Sequence, residues 1–113
     1  MPRRKTLSSP EAEQFARDVE SYPRAFPDLL KFLMDKHSWS IESAADKMSI
    51  SSRNLNRLRS PGYKPELEEI RTICKTLKFN IIDGLQLLHS GGFDPASADA
   101  EIMEIILICS TNT

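Results

Sequence analysis

The fold is decided by residues 41–58, which have the sequence IESAADKMSISSRNLNRL. The apolar spacing predicts two short helices, over residues 41–48 and 51–59, joined by a tight turn. Both helices are too short to be stable alone, so we expect them to pack against each other. The small residue Ala45 lets the helices cross closely at a steep angle, and Ile50 supplies an apolar residue in the turn. This pattern predicts a helix-turn-helix motif.

The second helix of this motif has two chemically different faces. At about 100° per residue, Leu55 and Leu58 point toward the core. Arg53, Asn56 and Arg57 fall on the opposite side, where the two arginines lie four residues apart as like charges that an external anion would stabilise. Arginine binds guanine or phosphate through paired hydrogen bonds, and asparagine pairs with adenine. The outer face is therefore predicted to bind DNA, the alternative being an ordinary solvated helix surface.

A DNA-binding helix-turn-helix places its second helix in the major groove and uses nearby residues to hold the phosphate backbone. We expect the base edges to be contacted by Arg53, Asn56 and Ser52. We expect the phosphates to be held by Ser40, Ser51, Arg57, Tyr63 and Lys64. Ser51 and Ser52 offer both hydroxyls and free backbone amides at the start of the helix. Binding of this kind depends strongly on salt concentration.

The distribution of charge supports this assignment better than the net charge does. The net charge is −1, whereas DNA-binding domains are usually basic. Between Ser38 and Lys64, however, five lysines and arginines stand against two acidic residues, a local balance of +3. From Asn80 to Thr113 there are five acidic residues and no lysine or arginine. The chain is predicted to be basic around the motif and acidic toward its end.

The remaining sequence divides the chain into four segments around one core, since 113 residues suit a single domain. Ser9 is placed to cap a helix that Pro23 ends. We expect a flexible basic arm over residues 1–8, an N-terminal helix over 9–24, a helix-turn-helix domain over 26–93 and a C-terminal tail over 94–113.

Helix-starting residues predict where the other helices begin. Pro27 starts a helix before the motif, and Pro65 opens one after it. Asn80 is a suitable cap for the next helix. Ser97 is placed to cap a last segment, which the sequence leaves open as a helix to about Cys109 or a strand over 105–109, because a short β-branched run fits both.

The tail is apolar nearly all round, which is more than one surface helix buries against its own domain. One interpretation is that the tail pairs with a second subunit and forms a homodimer. The residues expected at that contact are Ile102, Ile105, Ile106 and Ile108. The alternative is that the tail packs entirely against the N-terminal helix at Phe15, Val19 and Tyr22.

Residues 26–93 resemble the Xre family of helix-turn-helix regulators. The resemblance rests on a polar cap, an alanine in the first motif helix, an apolar turn residue, a serine-rich helix start, and a following Pro and Leu with a helix that ends in Leu. These features correspond to Ser40, Ala45, Ile50, Ser51, Ser52, Pro65, Leu67 and Leu77. The resemblance implies an all-α, lambda repressor-like five-helix DNA-binding domain, here with an extra N-terminal helix and a C-terminal tail. It also implies transcriptional regulation through specific DNA sequences.

Three positions depart from the family pattern. Ile41 stands where the family often has a glutamine that contacts DNA, so that contact is lost or replaced. Ser49 stands where a glycine commonly forms the turn, which requires a costlier backbone conformation. Arg59 replaces a frequent glutamate and makes the end of the second helix more basic.

Other site chemistries find little support in the sequence. Cys74 and Cys109 lack metal-ligand spacing, and Cys74 lies on an apolar helix face without a His/Asp arrangement. His37 and His89 have no further ligands at a recognisable spacing. We therefore expect no metal, no cofactor and no catalytic residue.

The chain is expected to be cytoplasmic, because its longest apolar run is too short to cross a bilayer and no secretory signal core follows the first basic residues. The main alternative to a DNA-binding regulator is a protein-interaction module, antitoxin-like or an adaptor, that keeps the fold without specific DNA binding. Ile41, the net acidity and the apolar tail motivate this alternative.

Overall fold

The computed structural model describes residues 22–113. This range contains six helices and no strand, which confirms the all-α class. The helices are α1 (Phe26–Lys36), α2 (Ile41–Met48), α3 (Ser52–Leu58), α4 (Leu67–Leu77), α5 (Ile81–Ser90) and α6 (Ala100–Asn112).

The predicted arm over residues 1–8 and most of the predicted helix over 9–24 lie outside the described residues. The last residues of that predicted helix, from Tyr22 onward, are not helical. Tyr22 is instead buried, with its ring 5.0 Å from that of Phe32. Its hydroxyl accepts a hydrogen bond of 2.7 Å from Nζ of Lys36. These contacts attach the chain to α1 just before that helix begins.

Serine caps define the two helices of the motif. Ser40 Oγ accepts from the Ser43 amide at 3.0 Å, and the Ser40 amide donates to Ser43 Oγ at 3.1 Å, which closes a capping box at the start of α2. Ser51 Oγ accepts from the Asn54 amide at 3.1 Å and caps α3. Between them, Ser49 adopts a left-handed conformation with φ 60° and ψ 40°. The costlier turn expected from the missing glycine is therefore present.

The motif is held together by small and branched apolar residues. Ala44 and Ala45 are buried on the inner side of α2, and Leu55 and Leu58 are buried on the inner side of α3. Ile50 is partly buried in the turn and packs against the same core. Because α2 packs against both α3 and α4, it connects the short α3 to the rest of the domain.

Two helix starts lie two residues later than the sequence predicts. Helix α4 begins at Leu67, after Pro65, because Glu66 is its N-cap and its amide donates to Glu69 Oε1 at 2.8 Å. Helix α6 begins at Ala100, since Asp99 rather than Ser97 caps it by accepting from two amides of the first turn.

The tail is a helix that ends at Asn112, so the strand alternative over residues 105–109 is wrong. Its inner residues Ile102, Ile105 and Cys109 are buried, and α6 packs against α4 and α5. The tail therefore does not pack entirely against the N-terminal helix, which is what the alternative interpretation proposed. Two residues of that proposed contact, Phe15 and Val19, lie outside the described residues.

Specific contacts fix the position of α6. Arg71 of α4 forms a 2.7 Å ion pair with Glu104. The Asn112 side chain donates to the backbone carbonyls of Cys74 and Phe79 at 3.0 and 3.1 Å. Gly84 allows α5 and α6 to approach each other closely, because a Cβ at this position would collide with Cys109 Sγ.

One charged side chain, Asp83, is fully buried in the core. Its Oδ2 lies 2.8 Å from His37 Nε2, and its Oδ1 lies 3.7 Å from Lys36 Nζ. These contacts join the C-terminal end of α1 to the first turn of α5. No sequence motif indicates this role for His37 or Asp83.

Within the described residues, no helix combines the length and apolar character needed to cross a membrane.

Candidate nucleic-acid interface

The outer face of α3 has the composition and exposure that the sequence predicted. Arg53, Asn56 and Arg57 are exposed, whereas Leu55 and Leu58 beneath them are 0% and 5% exposed. The polar side chains thus lie on a helix whose opposite side is anchored in the core.

The two arginines on this face have no carboxylate partner among residues 22–113. Arg57 makes one long hydrogen bond, from Nη1 to Asn54 Oδ1 at 3.4 Å. Arg53 makes no side-chain hydrogen bond within the described range. Both guanidinium groups therefore retain donors that point to solvent and are available to an external anion.

Asn54 also belongs to this surface, although it is not among the predicted DNA-binding residues. It is exposed, lies three residues before Arg57 and hydrogen-bonds to it. The spacing of three residues on a helix is the signal that would have identified this contact.

Ser51 and Ser52 stand at the start of α3, as predicted. Both are exposed. Ser51 uses its oxygen as an acceptor for the Asn54 amide, which leaves its hydroxyl proton free to donate. Ser52 is the first residue of the helix, so its amide has no partner within α3.

Ser40 and Tyr63, which the sequence predicted to hold phosphates, both donate their hydroxyl protons within the protein. The Ser40 hydroxyl donates to Ser43 Oγ at 2.8 Å, so its proton is used within the capping box. The Tyr63 hydroxyl donates to Glu69 Oε2 at 2.6 Å. The hydrogen bond to Glu69, together with burial, raises the pKa of Tyr63 to about 12. In both residues the only hydroxyl proton is already bound inside the protein.

The remaining basic positions near the motif differ in availability. Lys64 is exposed in the loop before α4 and remains available to an anion. Arg59 is half-buried, and its Nε is buried without a hydrogen-bond partner in the described part of the chain. Arg59 therefore adds less to the exposed positive surface than the sequence suggested.

Helix α2 presents a different surface. Ile41 is partly buried against the core, which explains how an apolar residue is accommodated at this position. Glu42, Asp46 and Lys47 are exposed, so the outer side of α2 carries more acid than base. Between Ser51 and Lys64, by contrast, the exposed charged side chains are Arg53, Arg57 and Lys64, and none is acidic.

The predicted dimer residues are divided between the inside and the edges of α6. Ile102 and Ile105 are 5% and 1% exposed and complete the domain's own core. Ile106 and Ile108 are half-buried on its two flanks. The outward side instead carries Met103, 51% exposed, and Leu107, 67% exposed.

In the described residues, no group of three or more His, Cys, Asp or Glu side chains is arranged to hold a metal ion. Cys74 and Cys109 are both buried, and neither forms a disulfide bond.

Comparison with known proteins found no match to the chain among family models, curated proteins or solved structures.

Proposed function

We propose that this protein is a cytoplasmic, sequence-specific regulator that binds double-stranded DNA, with a lambda repressor-like domain of the Xre type. Its helix α3 lies in the major groove. The observation that carries the proposal is the outer face of α3, where Arg53, Asn56 and Arg57 are exposed without a carboxylate partner in residues 22–113. A second support is the sharp separation of this face from the buried leucines of the same helix.

The proposed division of labour follows from exposure and position. Arg53 and Asn56 read base edges, with Ser52 beside them at the helix start. Arg57 and Lys64 hold phosphates, together with the free hydroxyl proton of Ser51. Ser40 and Tyr63 support the interface through their contacts within the protein and do not donate to a phosphate, because their hydroxyl protons are bound to Ser43 and Glu69.

The decisive experiment is selection of bound sequences from random duplex DNA, followed by fluorescence anisotropy on the selected site. Arg53→Ala is expected to lower affinity by about 5–150-fold and to change base preference at one position, because a bidentate base contact contributes about 1–3 kcal/mol. Arg57→Ala is expected to weaken all sequences alike and to reduce the slope of log K against log salt by about 1.

Lys75→Ala is the matched control, since Lys75 is an exposed cation on α4, outside the proposed interface. Equal effects of Lys75→Ala and Arg53→Ala on affinity would show that binding depends on net charge alone. This result would refute the base-reading role of Arg53. A failure of the wild-type protein to select any sequence at low salt would refute the proposed function.

We also propose that the outward stripe of α6 contacts a second copy of the chain. Met103 and Leu107 are four residues apart and share one side of the helix, and the adjacent Glu104 is neutralised by Arg71. An uncharged apolar stripe can pack against the same stripe of a second copy across a two-fold axis. The resulting dimer would bind two DNA half-sites whose centres are about 34–36 Å apart. Leu107→Glu is expected to convert a dimer to a monomer in light scattering; a wild-type monomer at high concentration would refute this contact.

The second candidate function is a protein-interaction module, which the same stripe and the acidic outer side of α2 favour. Capture of a stable protein partner that survives Arg53→Ala and Arg57→Ala but not Leu107→Glu would support it over DNA binding.

A further inference from the structure

A cleft of about 230 Å³ lies beside the proposed DNA-binding face. Helix α3 forms one wall and α4 the other, and the turn after α2 closes one end. The two buried lining residues, Met48 and Leu58, are apolar, and the partly buried Ile50 lies with them in the lining. The volume exceeds the roughly 150 Å³ of a cavity that accepts benzene and falls below the roughly 300 Å³ at which drug-sized sites begin. A ligand of about the size of a large amino acid fits this space.

The rim of the cleft carries both signs of charge. Arg57 lies on the α3 side, and Glu68 and Glu69 lie on the α4 side. Glu69 already accepts two hydrogen bonds, from the Tyr63 hydroxyl and the Glu66 amide. Glu68 accepts no hydrogen bond and forms no direct ion pair among residues 22–113, although it lies close enough to Arg71 to help raise the pKa of that guanidinium. Arg57 and Glu68 are therefore the two charged groups with capacity for a ligand.

We infer that this cleft binds a small zwitterion with an apolar side chain, in the manner of a free α-amino acid. The carboxylate binds the Arg57 guanidinium, for which a bidentate geometry is favourable, and the ammonium group binds Glu68. The apolar side chain covers Met48, Ile50 and Leu58. A purely anionic ligand would face Glu68 and Glu69, and a purely cationic one would face Arg57. The charge pattern thus favours a molecule that carries both charges.

Such a ligand would also affect DNA binding, because Arg57 takes part in both interactions. This regulatory consequence rests on the proposed function, whereas binding of the zwitterion itself does not. A bound carboxylate occupies donors that a phosphate requires, so ligand and DNA would compete for one guanidinium group.

The test is a titration of the ¹⁵N-labelled full chain with L-phenylalanine, without DNA, followed by amide chemical shifts. The expected result is saturable shifts at Ile50, Leu58 and Thr72 below about 10 mM ligand. Two analogues that each lack one charge, 3-phenylpropionate and 2-phenylethylamine, are expected to bind about tenfold more weakly, since each loses a charge-assisted hydrogen bond. No saturable shift, or equal binding of all three molecules, would overturn the inference.

Glu68→Gln tests the ammonium contact. It is expected to weaken L-phenylalanine about fivefold and to leave 3-phenylpropionate no weaker, because that analogue lacks the ammonium group. Glu101→Gln is the matched control, since Glu101 is exposed on α6 outside this cleft. Equal effects of the two variants on L-phenylalanine binding would overturn the assignment of Glu68.

Competition is measured separately, as release of labelled DNA by L-phenylalanine. Saturable ligand shifts without any DNA binding would refute the proposed function and leave the zwitterion site standing. DNA binding without ligand shifts would do the reverse.

Discussion

The contact between α5 and α6 yields a sharp prediction for Gly84→Ala. A Cβ on Gly84 would collide with Cys109 Sγ and lie 3.1 Å from Cys109 Cβ, so rotation of the thiol alone does not relieve the crowding. Alanine gains about 1 kcal/mol over glycine in a helix interior, whereas overpacking a core costs about 1–3 kcal/mol. Because this overlap is severe, we place the cost near 3 kcal/mol and expect a net loss of about 2 kcal/mol in the free energy of unfolding.

The assay is urea denaturation of four proteins: wild type, Gly84→Ala, Cys109→Ala and the double variant. Cys109→Ala alone is expected to cost about 1 kcal/mol through lost burial. In the double variant the new methyl group enters the space of the missing sulfur, so its free energy of unfolding should exceed the additive value by at least about 1 kcal/mol.

Cys74→Ala provides the matched control for this cycle. Cys74 Sγ would lie 3.8 Å from the same Cβ, an ordinary van der Waals distance. Because its thiol also hydrogen-bonds to that of Cys109, its combination with Gly84→Ala should show some coupling, but less than the combination with Cys109→Ala. Additivity of Gly84→Ala with Cys109→Ala, or a Gly84→Ala variant more stable than wild type, would refute the close approach of α6 to α5.

Three further predictions concern the motif and its support. Ser49→Gly is expected to raise the free energy of unfolding by about 1 kcal/mol, because Ser49 has φ 60°; an unchanged thermal midpoint would contradict this strain. Ser51→Ala should lower it by about 1 kcal/mol through loss of the α3 cap, with a smaller loss in Ser51→Asp, which restores an acceptor. Tyr63 has its pKa raised to about 12 by the hydrogen bond to Glu69, so this bond stabilises the fold below pH 10 and the contribution disappears as the pH rises toward 12. Tyr63→Phe should remove this alkaline component from stability measured against pH; identical profiles for the two proteins would show that the bond does not contribute.

The sequence was most informative where local chemistry and apolar spacing agree. Asn80 caps α5 and Leu55 lies on the inner side of α3, as predicted, because both roles depend on residues within one turn. The start of α4 was predicted two residues early, since Pro65 and Glu66 are both acceptable first residues and the choice depends on the Glu69 contact. Local preference does not distinguish such alternatives.

The site was less predictable because it depends on contacts between distant segments. The Tyr63 hydroxyl is suited to a phosphate until Glu69 is seen beside it. The contact between His37 and the buried Asp83 spans 46 residues, and no periodicity indicates it. Met103 is exposed and Ile102 is buried because of the angle at which α6 packs against the domain. The sequence does not specify this angle, since apolar residues occur on every side of the helix.

The proposed interface lies on the helix that is least able to form alone. Helix α3 has seven residues, which is far below the length at which isolated helices are stable. Its geometry therefore depends on packing against α2, which contacts α4, which in turn contacts α6. Gly84 lies on α5, which also contacts α4, so a change there is three helix contacts away from α3. It should reduce DNA affinity only through the fraction of unfolded protein, whereas Arg53→Ala should reduce affinity with the fold intact. Comparing affinity per folded molecule for these two variants separates the support of the interface from the interface itself.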